Sequence, residues 1–263
     1  MKQFAGVLSI VFAIAGVAGA GAYLRRVETP TVAAATTQSS ALKPPGSGRI
    51  NVAFVISKNT DLLDISGSWE VFNLAMLTSK GKPWHLSDGD DMVMPFHTYT
   101  VSDSLQPLPV EGLNIVPDHT FDDAPKPQII VIPAQDGRSA AQKKWLLANS
   151  ADADVTMSIC TGAGVLADYG MLDGLTATTH HLYWSQMQKR YPAVHFVSGT
   201  RFVEHGKIAT AGGVTSGIDL ALHVVDRYYG RDVAQTTADI LEYRGDLWKS
   251  PVYEQVKAVV PAR

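Results

Sequence analysis

From Arg49 onward the chain alternates two apolar patterns. Arg49–Ile56, Pro127–Pro133 and Asp154–Ile159 are short apolar runs of strand length with no polar face, as in strands covered on both sides. Between and after them, apolar residues recur at helical spacing. Asp64–Thr78 carries Trp69, Val71, Phe72, Leu74 and Ala75 in this way, Arg138–Asn149 follows the second run, and Val214–Tyr228 shows Ile218, Ala221, Leu222 and Val225 on one stripe. A last helix is predicted over Arg231–Tyr243. The segments Phe196–Ser198, Phe202–Glu204 and Lys207–Thr210 flank turn residues and predict a small antiparallel patch. Alternation of this kind predicts an α/β fold, a mostly parallel sheet with helices on both faces.

The pattern also divides the chain into four parts. Residues 1–24 begin with Lys2 and run apolar without a charge to Leu24, which fits either a cleaved export signal or a membrane anchor. On either reading the expected location is membrane-anchored or exported, with the extracytoplasmic side favoured. If the segment is uncleaved, the membrane is a partner. Residues 25–48, rich in Thr, Ala, Ser, Pro and Gly, read as a flexible linker, because such a stretch buries too little apolar surface to offset its ordering entropy. The folded domain is expected over 49–245, with 246–263 as a C-terminal tail.

Composition narrows the chemistry. Apolar residues make up 46% of the chain and charged residues 18%, enough for a real core. The 22 Lys and Arg oppose 25 Asp and Glu, giving a net charge of −3 with no basic run, so no nucleic-acid partner is expected. A single cysteine, Cys160, excludes an intrachain disulfide and a cysteine-based metal site. Histidines outside the 180–181 pair show no metal-ligand spacing, and no glycine pattern of a phosphate-binding or dinucleotide-binding turn occurs at a strand-to-helix junction. No metal and no other cofactor is expected.

The segment Ser158-Ile-Cys160-Thr-Gly162 carries the chemistry. A nucleophile that leaves a strand into a helix sits on a sharp turn needing small residues two positions to either side, and Ser158 and Gly162 supply them. A dipole from a helix starting near Thr161 could stabilise the thiolate by up to about 2 kcal/mol, which predicts a sulfur close to half ionised at neutral pH. Buried, inert packing is the competing reading of a lone cysteine. Asp64 also has two readings, a helix cap or an acid beside the sulfur, with Asp61 as its nearby competitor. If Asp64 touches Cys160, each group raises the other's pKa and the two titrate as a pair sharing a proton.

Four blocks resemble the ThiJ/PfpI branch of the class I glutamine-amidotransferase-like proteins: Leu63-Asp-Ile-Ser-Gly-Ser-Trp-Glu-Val-Phe72, Ser158-Ile-Cys-Thr-Gly-Ala-Gly-Val-Leu-Ala167, Gly170-Met-Leu-Asp-Gly-Leu-Thr-Ala-Thr-Thr-His180 and Thr210-Ala-Gly-Gly-Val-Thr-Ser-Gly-Ile-Asp-Leu-Ala-Leu-His223. Within the branch the chain looks most like the isonitrile hydratases and the ligand domains of AraC-type regulators. The resemblance implies a flavodoxin-like sandwich that is frequently a homodimer. It places Cys160 at the elbow, Asp64 aimed at the sulfur and Thr161 on the reacting group. Gly67, Ala134, Gln135 and His180 are expected around a small-molecule substrate.

Departures from the family pattern bear on the site. Ser68 stands where proline usually follows Gly67. Ala134-Gln135 replaces a Gly-Gly pair whose backbone N–H groups commonly complete an oxyanion site, so these side chains are expected to hinder close approach. Thr161 replaces the histidine of protease-like members, which weakens a peptidase reading. The resemblance then implies a cofactor-free, cysteine-dependent hydratase or lyase that converts an isonitrile to an N-substituted formamide. The alternative from a different class is a tethered or exported small-molecule or redox sensor without turnover.

Overall fold

The computed structural model describes residues 40–249 and 252–253. The expected signal or anchor at 1–24, and linker residues 25–39, lie outside the described residues. Among the described residues no helix is long and apolar enough to cross a membrane.

The chain enters β1 (Ile50–Val55) and α1 (Leu62–Leu74), then β2 (Phe96–Ser102), the hairpin β3 (Leu108–Val110) and β4 (Leu113–Ile115), and β5 (His119–Thr120). It continues through β6 (Ile129–Ile132), α2 (Ala140–Asp152), β7 (Val155–Ser158), α3 (Ala163–Asp168), β8 (Thr176–Ala177), α4 (Trp184–Arg190) and β9 (His195–Phe196). The last elements are β10 (Phe202–His205), β11 (Ile208–Ala211), α5 (Ser216–Tyr229), α6 (Arg231–Ile240) and β12 (Val252–Tyr253).

Eight strands form one sheet in the order β12-β10-β11-β7-β6-β1-β2-β5, parallel at every pairing except β10 with β11. The predicted antiparallel patch is therefore part of the main sheet, except that β9 pairs with β8 apart from it. Residues 79–126, where no element was predicted, supply β2, whose pairing with β1 is a six-residue parallel register.

Strand alternation assigns the two cores. On β1, Val52 and Phe54 face α1, α5 and α6, while Ala53 and Val55 face α2, α3 and α4. All four are fully buried, which explains why the run lacks a polar face. Helix α1 starts two residues before the predicted Asp64, because Asp61 is the residue that caps it, accepting from the N–H groups of Leu63 and Asp64.

Both ends of the described chain are fastened to this body. In the expected linker, the Ser40 carbonyl accepts from Arg227 Nε and the Leu42 N–H donates to the Arg227 carbonyl. In the expected tail, Trp248 is fully buried and Val252–Tyr253 pairs with β10. These residues belong to the fold, because a tryptophan is too large an apolar surface to leave in water when a cleft accepts it.

Candidate active site

From β1 the chain crosses to β2 on one side, then returns through β6 to the other, so the junction of β1 and β6 is a topological switch point. Crevices form beyond the carboxyl ends of strands at such points. Asp64 follows β1, Ala134 follows β6, Cys160 follows β7 and Val214 follows β11, which brings four distant segments to one end of the sheet.

Cys160 sits on the elbow with φ +56°, a left-handed conformation costly for a residue with a Cβ. Its N–H donates to the Gly212 carbonyl at 2.8 Å, and its carbonyl accepts from Thr179 Oγ1 at 3.0 Å, so the turn is held from both sides. The small residue two positions on is obligatory: a Cβ at Gly162 would lie 2.2 Å from the Ile132 carbonyl oxygen. Ser158 is fully buried in β7, with its hydroxyl unpartnered. It fits as a small residue and makes no hydrogen bond that would explain a hydroxyl.

A cavity of about 540 Å³ opens onto the sulfur. Asn59, Glu111, Cys160 and Val214 all line it, and these are four of the five non-glycine residues with positive φ among the described residues. Val214, β-branched at φ +25°, is the most strained of them. Backbone strain concentrated around one concavity marks a functional site, since the fold must hold each such residue against its preference.

The carboxyl beside the sulfur is Asp64. It is fully buried, its Oδ2 accepts from the Ala134 N–H at 2.9 Å, and Oδ1 has no partner among the described residues. Because Asp61 does the capping, Asp64 is not a helix cap. Burial raises its pKa from 3.8 to about 7 against the opposing Ala134 hydrogen bond, and the charges of Asp61 and Glu111 push the same way. Burial therefore favours the protonated carboxyl well above the ordinary carboxylate range.

The expectation of a half-ionised thiol is overturned. The Cys160 thiol is pushed up from 9.0 to about 11, first by burial and then by the Asp64 charge, while N–H groups of Thr161 and Val214 at the sulfur lower it less. The helix that was to supply the dipole is only six residues long and follows a separate tight turn over Cys160–Gly162, and a sulfur 6% exposed loses more solvation than that dipole returns. Cys160 still lines the cavity, and its thiol is coupled to the Asp64 charge.

The other predicted residues divide. Thr161, Ala134 and His180 line the cavity with Cys160. The Ala134 N–H is committed to Asp64, so it holds the acid and is not an open oxyanion donor. Gln135 turns away: its Nε2 donates to the Val55 carbonyl at 2.6 Å and its Oε1 accepts from Gln142 Nε2. Gly67 lies at the contact of α1 with α5, where a Cβ would come 3.0 Å from Ile218 Cγ1, and Ser68 bonds back to the Asp64 and Ile65 carbonyls inside α1. His180 stacks on His181 with ring centroids 4.5 Å apart, and burial lowers its pKa, so it is neutral at pH 7.

Sequence reasoning missed Asn59, Glu111, Tyr183 and Val214 as cavity residues. Glu111-Gly112 between two short apolar segments was a readable hairpin signal, since both positions have positive φ. Among the described residues no three His, Cys, Asp or Glu side chains converge as a metal site.

A doubly wound α/β domain with a cysteine on a strand-to-helix elbow and an acid buried beside it defines a class of domains built around an elbow cysteine. A family model described as the DJ-1/PfpI family matches residues 51–227, and the chain belongs to that family. It is 33% identical over 138 residues to the isonitrile hydratase of Pseudomonas putida, an alignment covering 50% of this chain and 59% of that protein. It is 24% identical over 212 residues to the HTH-type transcriptional regulator GbdR of Pseudomonas aeruginosa, covering 79% of this chain and 54% of the regulator. The chain thus spans 54–59% of the length of these two curated relatives. The crystal structure of a ThiJ/PfpI family protein from Pseudomonas syringae shares the fold, with a TM-score of 0.62 at 23% identity over 76% of this chain and 77% of that one.

Proposed function

We propose that the domain is a cofactor-free hydratase acting on a small electrophile, with an isonitrile as the substrate class. The observation that carries this is the pairing of an elbow cysteine facing a cavity with a buried Asp64 whose Oδ1 is unpartnered. The likeness to the isonitrile hydratase supports the choice of substrate.

Between about pH 7 and 11 the pair holds one proton, resting mainly on sulfur. Asp64 takes that proton as sulfur attacks the terminal carbon of R–N≡C, then delivers it to the same carbon, giving the thioimidate R–N=CH–S–Cys160. Water adds to the imidate carbon, the C–S bond breaks, sulfur recovers a proton, and R–NH–CHO leaves. Summed, one water is added to one isonitrile, with no oxidation. Thr161 N–H, already at the sulfur, is placed to hold charge that develops there.

A high thiol pKa suits this chemistry. An ionised cysteine would need a proton from solvent for the carbon, whereas the protonated pair carries its own. The second reading, a ligand sensor without turnover, draws support from the regulator GbdR among the relatives.

Formation of N-(4-nitrophenyl)formamide from 4-nitrophenyl isocyanide tests the proposal. Wild-type protein should produce it, and Cys160→Ala should reduce the rate to that of buffer. No turnover by folded wild-type protein rejects the enzyme in favour of the sensor.

A further inference from the structure

A second cavity of about 480 Å³ adjoins the one over Cys160, and His180 and Val214 line both. The two differ in chemistry. The cavity over Cys160 has Asp61 and Glu111 in its wall, and its one histidine is neutral at pH 7. The second is lined by Thr178, Ser198, Thr200 and Thr215 and by one permanent cation, Arg201; the Thr178 and Thr200 hydroxyls donate to the Val197 and Phe202 carbonyls.

Arg201 is held in place from behind. Its Nε donates to Asp219 Oδ2 at 2.6 Å, and its Nη2 donates to Thr215 Oγ1 at 3.1 Å and reaches Tyr243 at 3.4 Å. Tyr243 in turn donates to the same Asp219 oxygen at 2.9 Å. Asp219 is 1% exposed and Arg201 29%, so the acid lies under the guanidinium and not in the cavity. Nη1 has no partner among the described residues. A planar donor on a cavity wall, fixed by three neighbours and with one amino group unused, is pre-organised for a carboxylate.

We propose that the second cavity is a subsite for a carboxylate carried on the substrate's tail, so that the substrate class is a small electrophile with an anionic end. This rests on the reading of Cys160 as the reacting group. The charge contrast sets direction: a carboxylate lodged near Asp61 and Glu111 meets like charge, and the same group turned towards Arg201 meets donors. The electrophilic end then points at Cys160, and the His180–His181 stack forms the wall at the junction.

The direct test compares kcat/KM for 4-isocyanobenzoate and 4-isocyanotoluene, which differ only in charge at the far end. The expected preference for the carboxylate is about tenfold or more, expressed in KM. Arg201→Gln combined with Asp219→Asn removes the cation without leaving its buried partner unpaired. Ser198→Glu, at an exposed position, adds a negative charge to the cavity and leaves the ion pair untouched. Each should bring the ratio to about one. Equal use of the two substrates, or a preference that survives both variants, overturns the subsite.

A measurement without turnover separates this from failure of the hydratase reading. Alkylation of Cys160 by iodoacetamide, followed by intact mass, should slow in 4-methylbenzoate and not in 4-methylbenzamide. Protection without isonitrile turnover keeps the subsite and rejects the hydratase. Equal effects of acid and amide reject the subsite.

Discussion

Two buried carboxylates in this molecule are treated in opposite ways. Glu204 on β10 accepts from Arg227 and lies 3.0 Å from His223 Nε2, and all three side chains are 4–6% exposed. Asp64 is as deeply buried, yet the only partner of its carboxyl among the described residues is one backbone N–H. Around Glu204 the fold supplies counter-charge next to the edge strand β12, where α5 crosses β10 and the chain from Ser40 to Leu42 is fastened. Around Asp64 it supplies further negative charge, from Asp61 and Glu111. One buried carboxyl is given a cation, and the other is left among like charges that favour its protonated form.

Removing a partner should expose this difference most sharply at Glu204. Arg227→Ala removes the cation from a buried carboxylate and is expected to cost about 3–5 kcal/mol in urea unfolding. A loss below about 1 kcal/mol would show that the triad is not the anchor it resembles.

Neutralising the other acid should act in the opposite direction on stability. The folded-state pKa of Asp64, about 7, lies above its ordinary 3.8, so the folded protein binds more protons between those values. The contribution of Asp64 to stability therefore falls as pH rises from about 4 to 7 and is flat above. Asp64→Asn removes that dependence and is expected to stabilise the protein above pH 7 by something on the order of 3 kcal/mol. On the proposed hydratase mechanism the same change should lower turnover by about 100-fold or more, because that mechanism routes the proton through Asp64.

The thiol gives a third measurement. With the Asp64 charge gone, the Cys160 pKa falls from about 11, so iodoacetamide should label Asp64→Asn faster than wild type at pH 8. Faster labelling with slower catalysis would separate proton delivery from nucleophilicity; slower labelling would break the proposed coupling.

The smallest effect concerns the elbow. Thr179→Val removes the hydrogen bond to the Cys160 carbonyl and should cost about 1 kcal/mol, seen as a lowered Tm. The positive φ of Cys160 is also held by Gly212, so the elbow should survive and keep its reactivity.

Much of this was legible in the chain. The runs at 49–56, 127–133 and 154–159 became β1, β6 and β7 with ends moved by one or two residues, because a strand covered on both faces must be apolar at every position. The elbow was legible because Gly162 has no room for a side chain. Strand β2 was not, since Phe96-His-Thr-Tyr-Thr-Val-Ser102 mixes polar and apolar residues that only its neighbours bury. The roles of Gln135 and Gly67 were misread because spacing gives position along the chain and not the direction of a side chain.

By itself, then, the sequence determined the α/β alternation, the turn at Cys160 and the family, all of which depend on local sterics and on which residues can be buried. Tertiary structure decided that Asp61 caps and Asp64 does not, that the sulfur stays protonated, and that Arg201 faces a cavity over a buried Asp219. The physical reason is that pKa and charge complementarity depend on desolvation and on distances between groups far apart in the chain, and no local pattern encodes these.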